Sequence, residues 1–212
     1  MSAIAAAPGR RRVLADIIAR PSRRAQAFAV DAGLVVAGAA IVALLAQIEI
    51  PLWPVPITGQ TLGVIVVGAA LGAWRGAAAL TTYMIAGLAG LPVFAGFTGT
   101  LLALGKPSFG FIVGFIFSAF VAGWFAERAW DRKPLLAFVG FALASAIPFV
   151  FGIPYMALIL NVVGGGSFGL GEILQFGLWP FIVGGLIKAA LAALIIPGAW
   201  ALVNAVDTRK KG

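Results

Sequence analysis

From residue 25 to residue 46 the chain carries one formal charge, Asp31, among alanines, valines, leucines and isoleucines. A helix of about 20 apolar residues is what a hydrocarbon layer of about 30 Å requires. The pattern recurs at about residues 61–73, 77–91, 109–125, 135–160 and 173–203. Hydrophobic residues make up 62% of the chain and charged residues 10%, against about 45–50% and about 25% in soluble domains. The surplus is what a lipid-facing surface demands. These runs predict an all-α integral membrane protein with six transmembrane helices. One membrane domain, 25–204, lies between a basic segment, 1–24, and a basic tail, 205–212.

The charges orient the spans. Arg10, Arg11, Arg12, Arg20, Arg23 and Arg24 precede the first span. Arg75 follows the second, Arg128, Arg132 and Lys133 follow the fourth, and Arg209, Lys210 and Lys211 follow the sixth. The opposite loops hold Lys106 alone among basic residues. Basic loops stay in the cytoplasm, so both termini are predicted there, in a multi-pass protein of the cell (inner) membrane. The net charge of +8 is therefore read as a topology signal, with the lipid bilayer and not nucleic acid as partner. Arg10 to Arg12 precede a moderately amphipathic stretch, Val13 to Arg24, and not an apolar signal core. That stretch predicts a retained cytoplasmic surface helix.

Much chemistry is excluded. The chain has no cysteine and no histidine, which removes thiol nucleophiles, imidazole bases and the usual transition-metal ligands. Gly105-Lys106 is followed by Pro107, and Thr100 stands where a phosphate-binding loop needs its first glycine. No close acidic pair or activated serine is evident. No catalytic residue, metal or cofactor is expected, and any active transport needs a separate energy source.

Two features predict a cavity. The second and third segments, roughly 13–15 residues each, reach only about 20 Å as helix. The remaining depth falls to the proline-rich loop 51–59 and to the stretch 91–100. Irregular backbone at membrane depth survives only against protein or a wet cavity, so these loops are expected to roof an external-side ligand pocket. The alternative is two ordinary loops above the membrane. The second feature is Lys188, near the middle of the last span. An ammonium there costs about 2.5–3.5 kcal/mol on insertion scales and needs a partner. An anionic ligand supplies one; the alternatives are a pair with Asp31 or a side chain reaching toward an interface. Ala25, Ala29, Gly33 and Ala37 form a stripe of small residues on the first helix. Such a stripe permits close helix approach, to a partner or within the bundle.

Three motifs go further. Pro54-Val55-Pro56-Ile57-Thr58-Gly59-Gln60-Thr61-Leu62-Gly63, followed by Gly68-Ala69-Ala70-Leu71-Gly72, resembles the signature of the BioY family. Gly87-Leu88-Ala89-Gly90-Leu91-Pro92-Val93-Phe94-Ala95-Gly96 and Leu186-Ile187-Lys188-Ala189 resemble it too. BioY proteins are biotin-binding S components of energy-coupling factor (ECF) vitamin transporters. The resemblance implies the ECF S-component fold, an external vitamin pocket, a transmembrane coupling subunit and two cytoplasmic ATPases. It implies that Lys188 faces the carboxylate of the ligand. It also assigns the stripe Ala25, Ala29, Gly33 and Ala37 to docking the coupling subunit. Gln60, Thr58, Thr98, Ser145, Trp53, Tyr83, Phe94 and Tyr155 become candidates for ring contacts.

The chain departs from the family pattern where Val183-Gly184-Gly185 replaces a run ending in aspartate. Phe97 interrupts a glycine-rich run, and Pro107-Ser108-Phe109-Gly110-Phe111 replaces a more polar motif. An unpartnered buried polar group costs about 1–3 kcal/mol, so a less polar pocket suits a less polar ring. Biotin is the first expectation and a related carboxylate such as lipoate the second. A ligand-free membrane scaffold and a facilitator working without ATPases are the rivals.

Overall fold

The computed structural model describes residues 11–18 and 24–209. Arg10, Arg20, Arg23, Lys210 and Lys211 of the orienting charges lie outside the described residues. The chain is mostly helical: α1 (Ala15–Ile18), α2 (Arg24–Ala46), α3 (Gln60–Leu71), α4 (Ala73–Leu88), α5 (Phe109–Ala126), α6 (Pro134–Leu158), α7 (Leu170–Gly177) and α8 (Trp179–Arg209). A two-stranded hairpin, β1 (Glu49–Ile50) with β2 (Ile57–Thr58), pairs Glu49 with Thr58 and Ile50 with Ile57. Four helical stretches are long and apolar enough to cross a membrane: Ala25–Ala46, Phe109–Ala126, Pro134–Val163 and Leu170–Val206. Large apolar side chains such as Phe28, Leu44, Val150 and Leu194 point outward from them. Water would not tolerate so extensive an apolar surface; lipid does.

The second and third segments form α3 and α4, and the break between them lies at Gly72, not at Trp74-Arg75-Gly76. Gly72 has φ 87°, a left-handed value that glycine reaches without a Cβ clash. It accepts the turn and α4 restarts at once, carrying Trp74 and Arg75 in its first turn. The N–H of Ala73, which has no partner within its own helix, donates to the Glu127 carboxylate at 2.9 Å.

Small residues bring α3, α4 and α5 together. A Cβ at Gly68 would stand 2.4 Å from the carbonyl oxygen of Ala119, and one at Gly76 would stand 2.9 Å from Cα of Gly68. A Cβ at Gly123 would stand 2.3 Å from the backbone nitrogen of Ala73. In lipid, where apolar burial adds little between helices, such backbone approach is a main source of association. The outer surface of α2 is different: Ala25, Ala29, Gly33 and Ala37 are all exposed, so the stripe is not used inside this bundle.

The last apolar run is not one helix. It breaks between α7 and α8 at Leu178 (φ −122°, ψ −62°). Pro180 has no N–H to donate, and its ring opposes the carbonyl four residues back. The prolines inside α6, Pro148 and Pro154, do not end that helix. It continues into a π turn, Ile159–Val163.

Toward the chain ends of the bundle, Arg75 binds Asp16 and also Asp31, at 3.1 Å for the latter. Asp31 therefore serves Arg75 and not Lys188. Of the predicted surface helix Val13 to Arg24, residues 19–23 lie outside the described residues, and the part around α1 is tucked in: Val13 and Ala15 are buried, and the Arg11 N–H donates to the Glu127 carbonyl at 2.8 Å.

In the turn Trp130–Arg132, Asp131 is fully buried. Its Oδ2 accepts from Trp200 Nε1 at 2.6 Å, while Oδ1 has no partner among the described residues. Burial pushes this carboxyl up to about 6, with Trp200 and then Arg132 opposing the shift. A raised native value means that the folded state binds the proton more tightly than the unfolded chain. The stabilising contribution is full below about pH 4 and is lost as pH rises through about 6. Thermal unfolding in detergent is expected to show up to about 2 kcal/mol more of this contribution at pH 4.5 than at pH 7.5. Asp131→Asn should remove that part of the pH dependence.

Candidate functional site

At the end of the bundle occupied by the β1–β2 hairpin, a cavity of about 370 Å³ opens between the two irregular loops. This size lies within the range of small-molecule sites. Pro51, Leu52, Pro54, Val55, Pro56 and Thr58 line it from the first loop. Phe94, Ala95 and Thr98 line it from the second. The two loops thus meet around a common space, as their irregular composition predicts.

The second loop is pinned from α2. Gln47 Nε2 donates to the Phe94 carbonyl at 3.2 Å, and the Phe97 N–H donates to Gln47 Oε1 at 2.8 Å. Phe94 and Thr98 exchange backbone hydrogen bonds of 2.8 and 3.3 Å. The Phe94 ring lies where a side chain at Gly87 would be: a Cβ there would approach it to 2.1 Å. Gln47 is a positioning residue that the sequence reading did not single out. Its position after the helix-ending Ala46 was the available signal.

The deep wall is aromatic. Phe111, Phe149 and Phe181 pack within 5.9–6.3 Å of one another, ring centre to ring centre, and all three line the cavity with Phe109, Ile112 and Phe115. A spacing of four residues puts Phe111 and Phe115 on one face of α5, a signal legible only once the facing helices are known. Ser145 lines the cavity from α6, its hydroxyl donating back to the Phe141 carbonyl at 2.8 Å. Thr61 Oγ1 is buried with no hydrogen-bond partner among the described residues, and Thr61 too is on the wall.

Thr58 and Gln60 are wall residues joined to a buried chain of hydrogen bonds. Thr58 Oγ1 donates to Gln60 Oε1 at 2.8 Å, and Gln60 Nε2 donates to the Tyr83 hydroxyl at 2.6 Å. Lys188 Nζ donates to the Thr58 carbonyl at 2.5 Å. No carboxylate pairs with Lys188 among the described residues.

Five of the nine candidate binding residues, Thr58, Gln60, Phe94, Thr98 and Ser145, therefore line one cavity. The other four do not. Tyr83 is 1% exposed and supports Gln60 and Phe94 from behind. Tyr155 packs against Phe109 and donates to the Leu104 carbonyl at 2.5 Å. Trp53 is 65% exposed and rests on Phe168 and Phe176. Lys188 stands one hydrogen bond behind the wall, while Gly185, one turn earlier on α8, is on it. The wall also includes Glu49, from β1, and Lys106.

Apolar outer faces, a ligand-sized cavity at one end and a lysine without a counter-charge define a multi-pass membrane protein built around a small-molecule site. The chain matches the BioY family over residues 20–205 and belongs to that family. It is 41% identical over 160 residues to the biotin transporter BioY of Rhizobium etli, covering 72% of this chain and 81% of the relative. It is 38% identical over 160 residues to the biotin transporter BioY of Thermotoga maritima, covering 74% and 87%. Its fold is similar to a crystal structure of the S-component for biotin from an ECF-type ABC transporter. The TM-score is 0.63 at 24% identity, over 84% of this chain and 93% of that chain.

Proposed function

We propose that this chain is the substrate-binding membrane subunit of a biotin uptake transporter. The observation that carries the reading is the Lys188 ammonium. It has only a neutral carbonyl as partner among the described residues, one bond from the wall of a ligand-sized cavity, in a chain whose relatives are biotin transporters. The ligand carboxylate supplies the missing charge, and an ammonium has donors to spare beyond the one given to Thr58. The aromatic floor takes the ring system, and the Thr61 hydroxyl, Gln60 and Ser145 offer polar contacts to it.

In this reading α2, α3, α4, α5, α6 and α8 are the six spans, with α3 and α4 completed by their loops and α7 a broken preface to α8. Both termini are cytoplasmic in the cell membrane, and the cavity opens outside. A transmembrane coupling subunit docks on the exposed stripe Ala25, Ala29, Gly33 and Ala37, and cytoplasmic ATPases drive uptake. The basic ends, 1–24 and 205–212, flank the membrane domain 25–204.

A second reading, lipoate as cargo, is favoured by Gly185. At this wall position, where the BioY pattern that the sequence resembles would end in aspartate, there is no side chain, and a Cβ would meet nothing within 4 Å. Titration of the purified protein with biotin and with lipoate decides between them, and binding of neither is the result expected of a scaffold. The same space supplies a further test. Gly185→Leu projects a side chain into the cavity and is expected to weaken binding of the true cargo by roughly 10–100-fold. The thermal unfolding midpoint without ligand should stay put. Undiminished binding in this variant would place the cargo elsewhere.

A further inference from the structure

Two cations serve this cavity from different positions, and they should act at different stages. Lys188 lies behind the wall and is held by the Thr58 carbonyl. Lys106 is part of the wall and exposed. Its Nζ donates to the Thr98 hydroxyl at 3.2 Å; Thr98 Oγ1 in turn donates to the Ala95 carbonyl at 3.0 Å, so the lysine is tied to the rim of the second loop. Among the described residues Lys106 forms no ion pair, although the Glu49 carboxylate lies on the same cavity wall. The ammonium is thus partly ordered at an apolar mouth while its charge remains uncancelled at short range.

We propose that Lys106 is the capture cation for the ligand carboxylate: it draws the anion to the mouth and hands it inward, where Lys188 retains it. This rests on the reading of the cavity as the site of an anionic vitamin. A charge at a rim acts chiefly on the association rate and its salt dependence, whereas a desolvated partner acts on dissociation. Low-dielectric walls focus the field of a rim charge and raise the encounter rate of an oppositely charged ligand. Glu49, of opposite sign on the same mouth, works against capture.

The test is stopped-flow tryptophan fluorescence on the full chain in detergent, with biotin and with its uncharged methyl ester as probes. Lys106→Met is expected to slow biotin association about tenfold at low salt and to flatten its salt dependence. The dissociation rate and the ester's association rate should barely move. Lys106→Arg should restore fast association, and Glu49→Gln should accelerate it. An association rate in Lys106→Met within about twofold of wild type, with unchanged salt dependence, overturns the proposal while leaving the functional reading intact. A wild-type protein that binds no biotin overturns both. Because Lys106 is exposed, its loss does not threaten the fold; an unchanged unliganded melting temperature confirms that.

Discussion

Lys188→Met is expected to weaken biotin binding by about a hundredfold or more, while the protein still inserts and folds. Truncating one partner of a buried, hydrogen-bonded charge pair costs about 2–5 kcal/mol, and 1.4 kcal/mol is a factor of ten in affinity. Methionine fills nearly the same volume, so α8 keeps its packing. The Thr58 carbonyl loses its partner, but the membrane no longer hosts an ammonium that costs about 2.5–3.5 kcal/mol. The unliganded protein should therefore be as thermally stable as wild type. Isothermal titration of the purified variant measures the loss, and the dissociation rate should carry most of it. Binding at wild-type affinity would remove Lys188 from carboxylate recognition. The cation would then be a structural clamp on the end of β2.

Gly123→Val and Gly68→Val are expected to destroy the fold or to destabilise it by about 3 kcal/mol or more, the upper range for overpacking. At both positions the obstacle to a Cβ is backbone: the Gly72–Ala73 link for Gly123 and the Ala119 peptide for Gly68. A flexible side chain could turn aside, but a helix backbone cannot without separating α3 and α4 from α5. The control is Gly33→Val on α2, where a Cβ meets nothing within 4 Å. That variant should fold and bind its ligand normally. If the exposed stripe docks a coupling subunit, it should fail only in assembly of the transporter. Expression, monodispersity and the melting midpoint in detergent separate the two outcomes. A well-folded Gly123→Val protein would mean that α4 and α5 do not pack as described.

The membrane class and the two irregular loops were legible in the chain because each is a local property. Long apolar runs need lipid, and clustered prolines cannot continue a helix. Lys188 was legible because an isolated cation in an apolar run has few explanations. Less visible were the breaks at Gly72 and at Leu178-Trp179-Pro180. The first depends on a single left-handed glycine and the second on one proline within an otherwise apolar run. The partners of Arg75 were not visible either, since Asp16 and Asp31 lie 59 and 44 residues away along the chain.

The sequence by itself determined that this protein lives in a bilayer, that it lacks the side chains for thiol or imidazole chemistry, and that one lysine stands in the middle of its last apolar run. Only the tertiary structure decided which polar residues share a cavity. Thr58, Gln60, Thr98 and Ser145 come together on its wall, whereas Tyr83, Tyr155 and Trp53 fall behind or outside it. It also decided that Lys106 shares that wall while Lys188 sits behind it, held by the Thr58 carbonyl. The physical reason is that apolar periodicity records how a segment meets lipid. Facing across a bundle depends on where small residues let backbones touch, and that is a property of pairs of helices, which no single helix encodes.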